Sequence, residues 1–182
     1  YADSDSGARV AGKLGSVLGG NGSDVPDAEL VGFVERVRCR FRFGDGVVCG
    51  GWAFERANTF YPDLDDTAVA MIVLSKARRF SKDPSRIDRA LALARDWTLV
   101  MQSSNGGWAA FDKDNTNRLV TRLPFSDFGE MLDPPSVDVT AHVVEALGYL
   151  GCSLAHPALA RAVNYIRSEQ EPEGSWFGRW GV

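Results

Sequence analysis

Three aspartates stand directly in front of an apolar stretch of the chain. Asp63, Asp65 and Asp66 lie in "FYPDLDDTAVAMIVL", residues 60–74, and no lysine or arginine follows them within eight residues. Two acidic residues at a helix start are ordinary, because the helix macrodipole and the free N–H groups favour anions there. A third aspartate without a nearby cation indicates chemistry beyond helix capping.

A second acidic position carries a histidine one helical turn later. Asp138 is followed by His142 at i+4, so both side chains share one face of a helix. If this helix neighbours the one after Asp65, then Asp65, Asp138 and His142 converge at one end of a bundle. A lone histidine is more often structural, and His156, directly before Pro157 at a predicted helix start, fits that interpretation.

Such a cluster is suited to acid chemistry. Repulsion between carboxylates raises the pKa of one of them, and a cationic histidine stabilises the carboxylate that remains after its proton departs. The rival use is a magnesium site, because D-x-D-D also resembles carboxylate sets that hold this ion. Aromatic residues in the flanking loops favour the acid, since aromatic faces stabilise cations and would line a cavity for alkene protonation. These aromatics are Phe54, Phe60, Tyr61, Phe111, Phe125 and Phe128.

The elements that position these residues begin near residue 50. Residues 1–24 are rich in Gly, Ser and Asp, and a short helix is predicted over "DAELVGFVERV" and a strand over "RCRFRFGDGVV". We expect residues 1–49 as a whole to be poorly ordered or loosely packed. After Gly50 the apolar spacing predicts an almost entirely helical chain. The predicted helices cover residues 64–80, 84–102, 135–150 and 156–169.

The helical part repeats itself. "PDLDDTAV" (62–69) aligns with "PSVDVTAH" (135–142), which makes Asp65 and Asp138 equivalent, and "QSSNGGW" (102–108) aligns with "QEPEGSW" (170–176). "CGGW" (49–52) resembles the end of an earlier copy. Helix pairs that repeat at this length indicate stacked or ring-closed α-hairpins. The tryptophans of the Q-x-x-x-G-x-W turns are interpreted as structural fasteners.

Composition excludes several classes of protein. The chain has 182 residues, 45% hydrophobic and 24% charged, which suits one globular domain with a core. Its net charge of −4 argues against nucleic acid as a partner. Cys39, Cys49 and Cys152 lack metal-ligand spacing, which favours reduced cytosolic thiols. No apolar run has the length of a membrane span, and no signal peptide is evident.

Residues 50–182 resemble the central to C-terminal part of a squalene–hopene cyclase. The matching blocks are "GGWAFERANTFYPDLDDTAV", "QSSNGGWAAFDKDNTN", "PFSDFGEMLDPPSVDVTAHVVEALG" and "QEPEGSWFGRWGV". Oxidosqualene cyclases carry D-C-T-A in place of D-x-D-D-T-A. Class II diterpene cyclases share D-x-D-D but generally lack the P-P-S-x-D-V-T-A-H block.

The resemblance implies a role for each acidic residue of the cluster. Asp65 matches the aspartate that protonates the terminal double bond of squalene, and Asp63 and Asp66 match its acidic partners. His142 matches the histidine that hydrogen-bonds the acid and increases its acidity, with Asp138 as its neighbour in the network.

The resemblance also implies roles for aromatic residues. Phe54 and Phe128 match aromatics that stabilise carbocations, Phe111 and Trp180 match cavity-lining positions, and Phe125 lies in the same aromatic loops. The implied reaction uses no cofactor or metal. A proton starts a polycyclisation to hopene or hopanol, which ends by deprotonation or water capture.

Family members are much longer, with two α/α-barrel domains and the cavity between them. We therefore expect an all-α fragment in which residues 50–182 form part of an α/α-barrel (toroid) and residues 1–49 are atypical, with doubtful activity on its own. The parent enzyme is expected on the cytoplasmic side of a membrane as a monotopic, homodimeric protein, while the fragment is expected to be soluble. The alternatives are a class II diterpene or other triterpene cyclase, and a non-catalytic helical-repeat module.

Overall fold

The computed structural model describes residues 48–53, 60–116 and 132–179. In these residues the chain forms four α-helices and one two-stranded sheet. The helix and strand predicted before residue 48, and the predicted poor order of residues 1–49, concern chain that is almost wholly outside these ranges. The elements are β1 (Trp52–Ala53), β2 (Pro62–Asp63), α1 (Leu64–Ala77), α2 (Pro84–Val100), α3 (Val137–Tyr149) and α4 (Pro157–Ser168).

Helix α1 begins where the aspartates begin. The Asp63 carboxylate caps it by accepting a hydrogen bond from the Asp66 N–H at 2.8 Å, and the Leu64 N–H donates to the Ala110 carbonyl at 2.8 Å. The helix ends at Ala77 and continues as a 3-10 turn over Arg78–Phe80, so the predicted end at residue 80 includes this tighter turn. The chain is extended again at Ser81.

The helices form two hairpins placed side by side. Helix α2 packs on α1, α4 packs on α3, and the most extensive helix contact is between α1 and α3. The core at these contacts consists of small and aliphatic side chains with three fully buried tryptophans, Trp52, Trp97 and Trp108. The predicted neighbourhood of the two helices that carry Asp65 and Asp138 is therefore confirmed.

Sheet structure in the described residues is limited to short pieces, as predicted. Strands β1 and β2 pair antiparallel, with Trp52 opposite Asp63, and this pairing places the chain just before α1. An isolated antiparallel bridge between Trp108 and Ser136 stands at the corresponding place before α3. Each hairpin is thus entered through a similar backbone contact.

The Q-x-x-x-G-x-W turns have the same internal structure in both copies. Gln102 donates through Nε2 to the Gly106 carbonyl at 2.8 Å, and Gln170 donates in the same way to the Gly174 carbonyl at 2.8 Å. Both glycines have positive φ, 94° and 91°, where a side chain is strained. The glutamine therefore fixes a turn that only glycine adopts readily.

The tryptophans of these turns are fasteners, as predicted. Trp108 donates through Nε1 to the Thr98 carbonyl at 2.7 Å, and Trp176 donates to the Ile166 carbonyl at 2.7 Å. Each indole therefore satisfies a carbonyl in the last turns of the preceding helix. The two differ in burial, because Trp108 is fully buried whereas Trp176 is 45% exposed.

The first turn is also joined to the following helix. Gln102 is buried and donates to the Ala158 carbonyl at 2.8 Å, while Arg161 donates to its side-chain oxygen. Gln170 is exposed. The first glutamine therefore links α2 to α4, which Gln170 does not.

This difference predicts unequal effects of the same substitution. Gln102→Ala leaves carbonyls without their donor in a buried place and should lower the free energy of unfolding by about 1–3 kcal/mol. Gln170→Ala is the matched control and should change it by less than about 0.5 kcal/mol, because water replaces the lost bond. Urea unfolding of both variants measures the effect, and equal losses would contradict the linking role of Gln102.

Candidate active site

The two helices that carry the acidic residues start in the same way. Asp65 is the second residue of α1 and Asp138 the second residue of α3. Two residues further on, Thr67 accepts the Trp52 N–H at 2.8 Å, and Thr140 accepts the Trp108 N–H at 2.9 Å. Both threonines are fully buried. These bonds hold the start of each helix next to the tryptophan that precedes it in the chain.

Asp65 and His142 are in direct contact. His142 Nδ1 lies 2.5 Å from Asp65 Oδ1, although 77 residues separate the two in the chain. The side chains are 37% exposed for Asp65 and 49% exposed for His142, so the pair lies at an accessible surface. The predicted hydrogen bond between the acid position and the histidine is therefore confirmed.

The flanking aspartates have raised pKa values. Burial raises the pKa of Asp63 to about 7; the bond from the Asp66 N–H opposes this rise, and the charges of Asp66 and Asp65 add to it. Burial also raises the pKa of Asp66, with the charge of Asp65 as the second cause. Desolvation is thus the larger cause and carboxylate repulsion, on which the sequence argument relied, the smaller.

The raised pKa of Asp63 predicts a pH-dependent stability. The folded chain holds this proton up to about pH 7, while the unfolded chain releases it near the ordinary value of 3.8. Stability from this group is therefore present below about pH 4 and is lost as the pH rises to about 7. Asp63→Asn keeps an oxygen for the helix cap and should flatten the fall in thermal midpoint over this window.

The control for this experiment is Asp112→Asn, which removes an exposed carboxylate. It should leave the slope of the midpoint against pH as in the unchanged chain. Because burial also raises the pKa of Asp66, part of the slope should remain in Asp63→Asn; a slope as steep as in the unchanged chain would contradict burial of the Asp63 proton.

Asp138 and His156 occupy the expected local positions. Asp138 lies one turn before His142 in α3, and its Oδ1 accepts the Val139 N–H at 3.0 Å. The pKa of Tyr165 is raised to about 12 by burial first and by the charges of Glu169 and Asp138, so the Asp138 carboxylate influences that hydroxyl. His156 caps α4 by accepting the Ala158 N–H at 3.3 Å, which confirms its structural interpretation.

The described aromatic residues lie next to the acidic helix start. Tyr61 and Phe111 form an edge-to-face pair with ring centroids 5.8 Å apart. Phe60 and Tyr61 are 77% and 63% exposed. The other predicted cavity residues, Phe54, Phe125, Phe128 and Trp180, lie outside the described residues.

The sequence of the chain also matches a known protein family. Residues 41–182 match the squalene-hopene cyclase C-terminal domain. The chain belongs to the squalene–hopene cyclase family. Its match to the family begins at residue 41 and so includes residues 41–49, which precede the predicted boundary at Gly50.

Curated relatives carry matching names. The chain is 52% identical over 133 residues to squalene–hopene cyclase of Alicyclobacillus acidocaldarius, a match that covers 73% of the chain and 21% of the relative. It is 47% identical over 133 residues to squalene–hopene cyclase of Zymomonas mobilis, which covers 73% of the chain and 20% of the relative. Dammaradiene synthase of Dryopteris crassirhizoma is 44% identical over 138 residues, and this match covers 71% of the chain and 20% of the synthase. The chain therefore matches about one fifth of the length of these proteins.

The described residues contain neither a cluster of metal ligands nor a membrane-spanning helix. Within residues 48–53, 60–116 and 132–179, no three His, Cys, Asp or Glu side chains are placed to hold one metal ion. In the same part of this cyclase-family chain, no helix is both long and apolar enough to cross a membrane.

Sequence reasoning missed one buried acidic residue of this family chain. Asp133 is 7% exposed and accepts hydrogen bonds from the backbone of residues 110–112. In the sequence, Asp133 stands directly before two prolines, Pro134 and Pro135. This pattern indicates extended or turn backbone rather than a solvated helix face.

Proposed function

We propose that this chain supplies the acid of a class II triterpene cyclase that protonates a terminal alkene of squalene and starts its polycyclisation. The contact between Asp65 and His142 carries the proposal, because it places a hydrogen-bonded carboxyl group at an accessible helix start. The names of the relatives, squalene–hopene cyclase and dammaradiene synthase, support a triterpene substrate and product class.

The proton transfer uses the two oxygens of one carboxyl group. His142, as the imidazolium, donates through Nδ1 to Asp65 Oδ1, while the other oxygen carries the proton that is transferred. The alkene π electrons take this proton onto the CH carbon, which leaves a tertiary cation on the dimethyl-bearing carbon. The resulting Asp65 carboxylate is stabilised by the imidazolium, so the bond to His142 strengthens as charge develops.

Asp63 and Asp66 support this acid from the same helix start. Because the pKa of Asp63 is raised to about 7, this group is partly neutral near neutral pH and limits the negative charge beside Asp65. Asp138 lies one turn before His142 and acts as a neighbour in the histidine's network. The catalytic set we propose is therefore Asp65 and His142, with Asp63, Asp66 and Asp138 tuning them.

The later steps need cation stabilisation and no cofactor or metal. Each ring closes when an alkene donates its electron pair to the preceding cation, and loss of a proton or capture of water ends the series. Aromatic faces stabilise such cations in a site that excludes water. We propose Phe54, Phe111, Phe125, Phe128 and Trp180 for this role, with the Tyr61–Phe111 pair as support among the described residues.

We further propose that residues 50–182 form part of an α/α-barrel. Two side-by-side hairpins, entered through similar backbone contacts and closed by equivalent turns, support a repeating ring of helices. The squalene cavity and the interface of a homodimer would then involve further parts of the complete enzyme, since this chain matches only about one fifth of the length of its relatives.

For the complete enzyme we propose peripheral, monotopic association with the cytoplasmic side of a membrane, since squalene is lipid-soluble. Residues 48–53, 60–116 and 132–179 offer no membrane-spanning helix. We expect weak or no binding of the purified 182-residue chain to liposomes in a flotation assay. Tight binding that persists at high salt would contradict this expectation.

A chimera tests the proposed activity. Residues 50–182 would replace the matched stretch of the Alicyclobacillus acidocaldarius cyclase, to which the chain is 52% identical. We expect cyclised triterpenes from squalene and none from geranylgeranyl diphosphate. Products from the diphosphate would favour a class II diterpene cyclase, and a folded chimera inactive on both substrates would favour a non-catalytic helical repeat.

A further inference from the structure

A buried carboxylate outside the acidic cluster organises the loop after the first tryptophan turn. Asp133 is 7% exposed and receives three backbone hydrogen bonds. Its Oδ2 accepts the Phe111 N–H at 2.6 Å and the Asp112 N–H at 2.8 Å, and its Oδ1 accepts the Ala110 N–H at 3.4 Å. A carboxylate with converging backbone donors is a strong, charge-assisted anchor.

The anchored loop touches the acid helix. The Ala110 carbonyl accepts the N–H of Leu64, which directly precedes Asp65, at 2.8 Å. Leu64 is fully buried, so this bond is shielded from water. A short path of hydrogen bonds therefore runs from the Asp133 carboxylate through the loop backbone to the residue before the acid.

The same loop carries an aromatic ring beside the site. Phe111 gives its N–H to Asp133 and its ring to the edge-to-face contact with Tyr61. An ordered backbone at Phe111 fixes where this ring stands relative to Asp65, because the loop also holds the start of α1. One side chain thus sets the relative position of a proton donor and an aromatic face.

A carboxylate is the side chain that fits this place. Two adjacent N–H groups donate to one oxygen and a third points to the other, so the site presents donors and needs only acceptors. Asparagine would offer one acceptor oxygen and an NH₂ group that faces a backbone donor. The loop therefore selects Asp133 for its charge and its two acceptor oxygens rather than for its size.

We propose that Asp133 is a positioning residue of the cyclase. It keeps Phe111 at a fixed position relative to the acid, Asp65. This inference rests on the proposed function for its catalytic consequence, while the positioning itself is a property of the chain. Asp133 does not contact the reacting atoms, and it acts through the 110–112 backbone and the Ala110–Leu64 hydrogen bond.

The first test uses the complete 182-residue chain and needs no activity. Amide hydrogen exchange should be about tenfold or more faster at Phe111, Asp112 and Leu64 in Asp133→Asn than in the unchanged chain. Asp112→Asn is the matched control, since it makes the same change in the same loop at an exposed carboxylate, and its exchange should stay within about twofold. Unchanged exchange in Asp133→Asn would overturn the proposal.

A measurement on the unchanged chain guards against a variant that fails to fold. Scalar coupling across the hydrogen bonds should connect the amide nitrogens of Phe111 and Asp112 to the side-chain carboxyl carbon of Asp133. Absence of this coupling, with both amides assigned, would overturn the proposal without any substitution.

The second test separates positioning from simple stabilisation. In the chimera, Asp133→Asn should raise the share of incompletely cyclised products at least about twofold, whereas Asp112→Asn should leave the product pattern unchanged. A purely structural residue would lower the yield but keep the pattern, and that result would overturn the role in cyclisation. A chimera with the unchanged loop that makes no cyclised product contradicts the proposed function instead, and the exchange rates then decide the positioning alone.

Discussion

Asp65→Asn should abolish cyclisation of squalene by the chimera, with a loss greater than about 10⁴-fold. An amide cannot deliver a proton, and loss of general acid catalysis ordinarily costs about 10²–10⁴-fold. Alkene protonation has no easy substitute route, and the neighbouring Asp63 carboxyl group is buried at the helix cap, so the loss should exceed that range. Asparagine nearly keeps the shape of aspartate, so the helix start should remain folded.

Asp96→Asn is a matched control for this experiment, because Asp96 is an exposed aspartate on α2 whose partner is the adjacent Arg95. It should leave turnover within about twofold of the unchanged chimera. Substantial squalene cyclisation by Asp65→Asn, measured as product per folded protein, would show that another group supplies the proton.

His142→Ala should reduce turnover less than Asp65→Asn, by about 10- to 100-fold. The acid would remain, but its carboxylate would lose one hydrogen bond to a charged partner, and such bonds contribute about 1.5–3 kcal/mol. The loss should appear in kcat rather than in KM, because the bond to His142 strengthens only as Asp65 gives up its proton.

The second histidine of the chain offers the control. His156→Asn keeps a side-chain acceptor for the cap of α4, and position 156 stands at the start of a different helix from Asp65, so turnover should be unchanged. His142→Ala with full activity, or a loss expressed only in KM, would contradict the coupling of His142 to the acid.

The internal repeat explains why the contact between Asp65 and His142 was predictable from the sequence. Asp65 and Asp138 are equivalent by alignment, and a histidine at i+4 reaches the neighbouring helix start once the two helices pack side by side. That single tertiary assumption, supplied by the repeat, was enough to predict the contact between Asp65 and His142. The Q-x-x-x-G-x-W turns were predictable for the same reason.

Other features depend on packing between distant segments. The raised pKa of Asp63 comes mainly from burial, which the spacing of aspartates does not reveal. The anchor at Asp133 and the link from Gln102 to Ala158 join residues more than twenty positions apart, and no local pattern indicates which residue is the partner. The roles of Phe54, Phe125, Phe128 and Trp180 stay predictions, since these residues lie outside the described ranges.

The most direct measurement of the central claim is squalene cyclisation by the chimera in deuterated water. A proton from Asp65 exchanges with solvent between turnovers, so each product should carry one non-exchangeable deuterium on the former CH carbon of the terminal alkene. Asp65→Asn should yield no such labelled product under the same conditions. Product without deuterium at that carbon, or labelled product from Asp65→Asn, would contradict Asp65 as the acid.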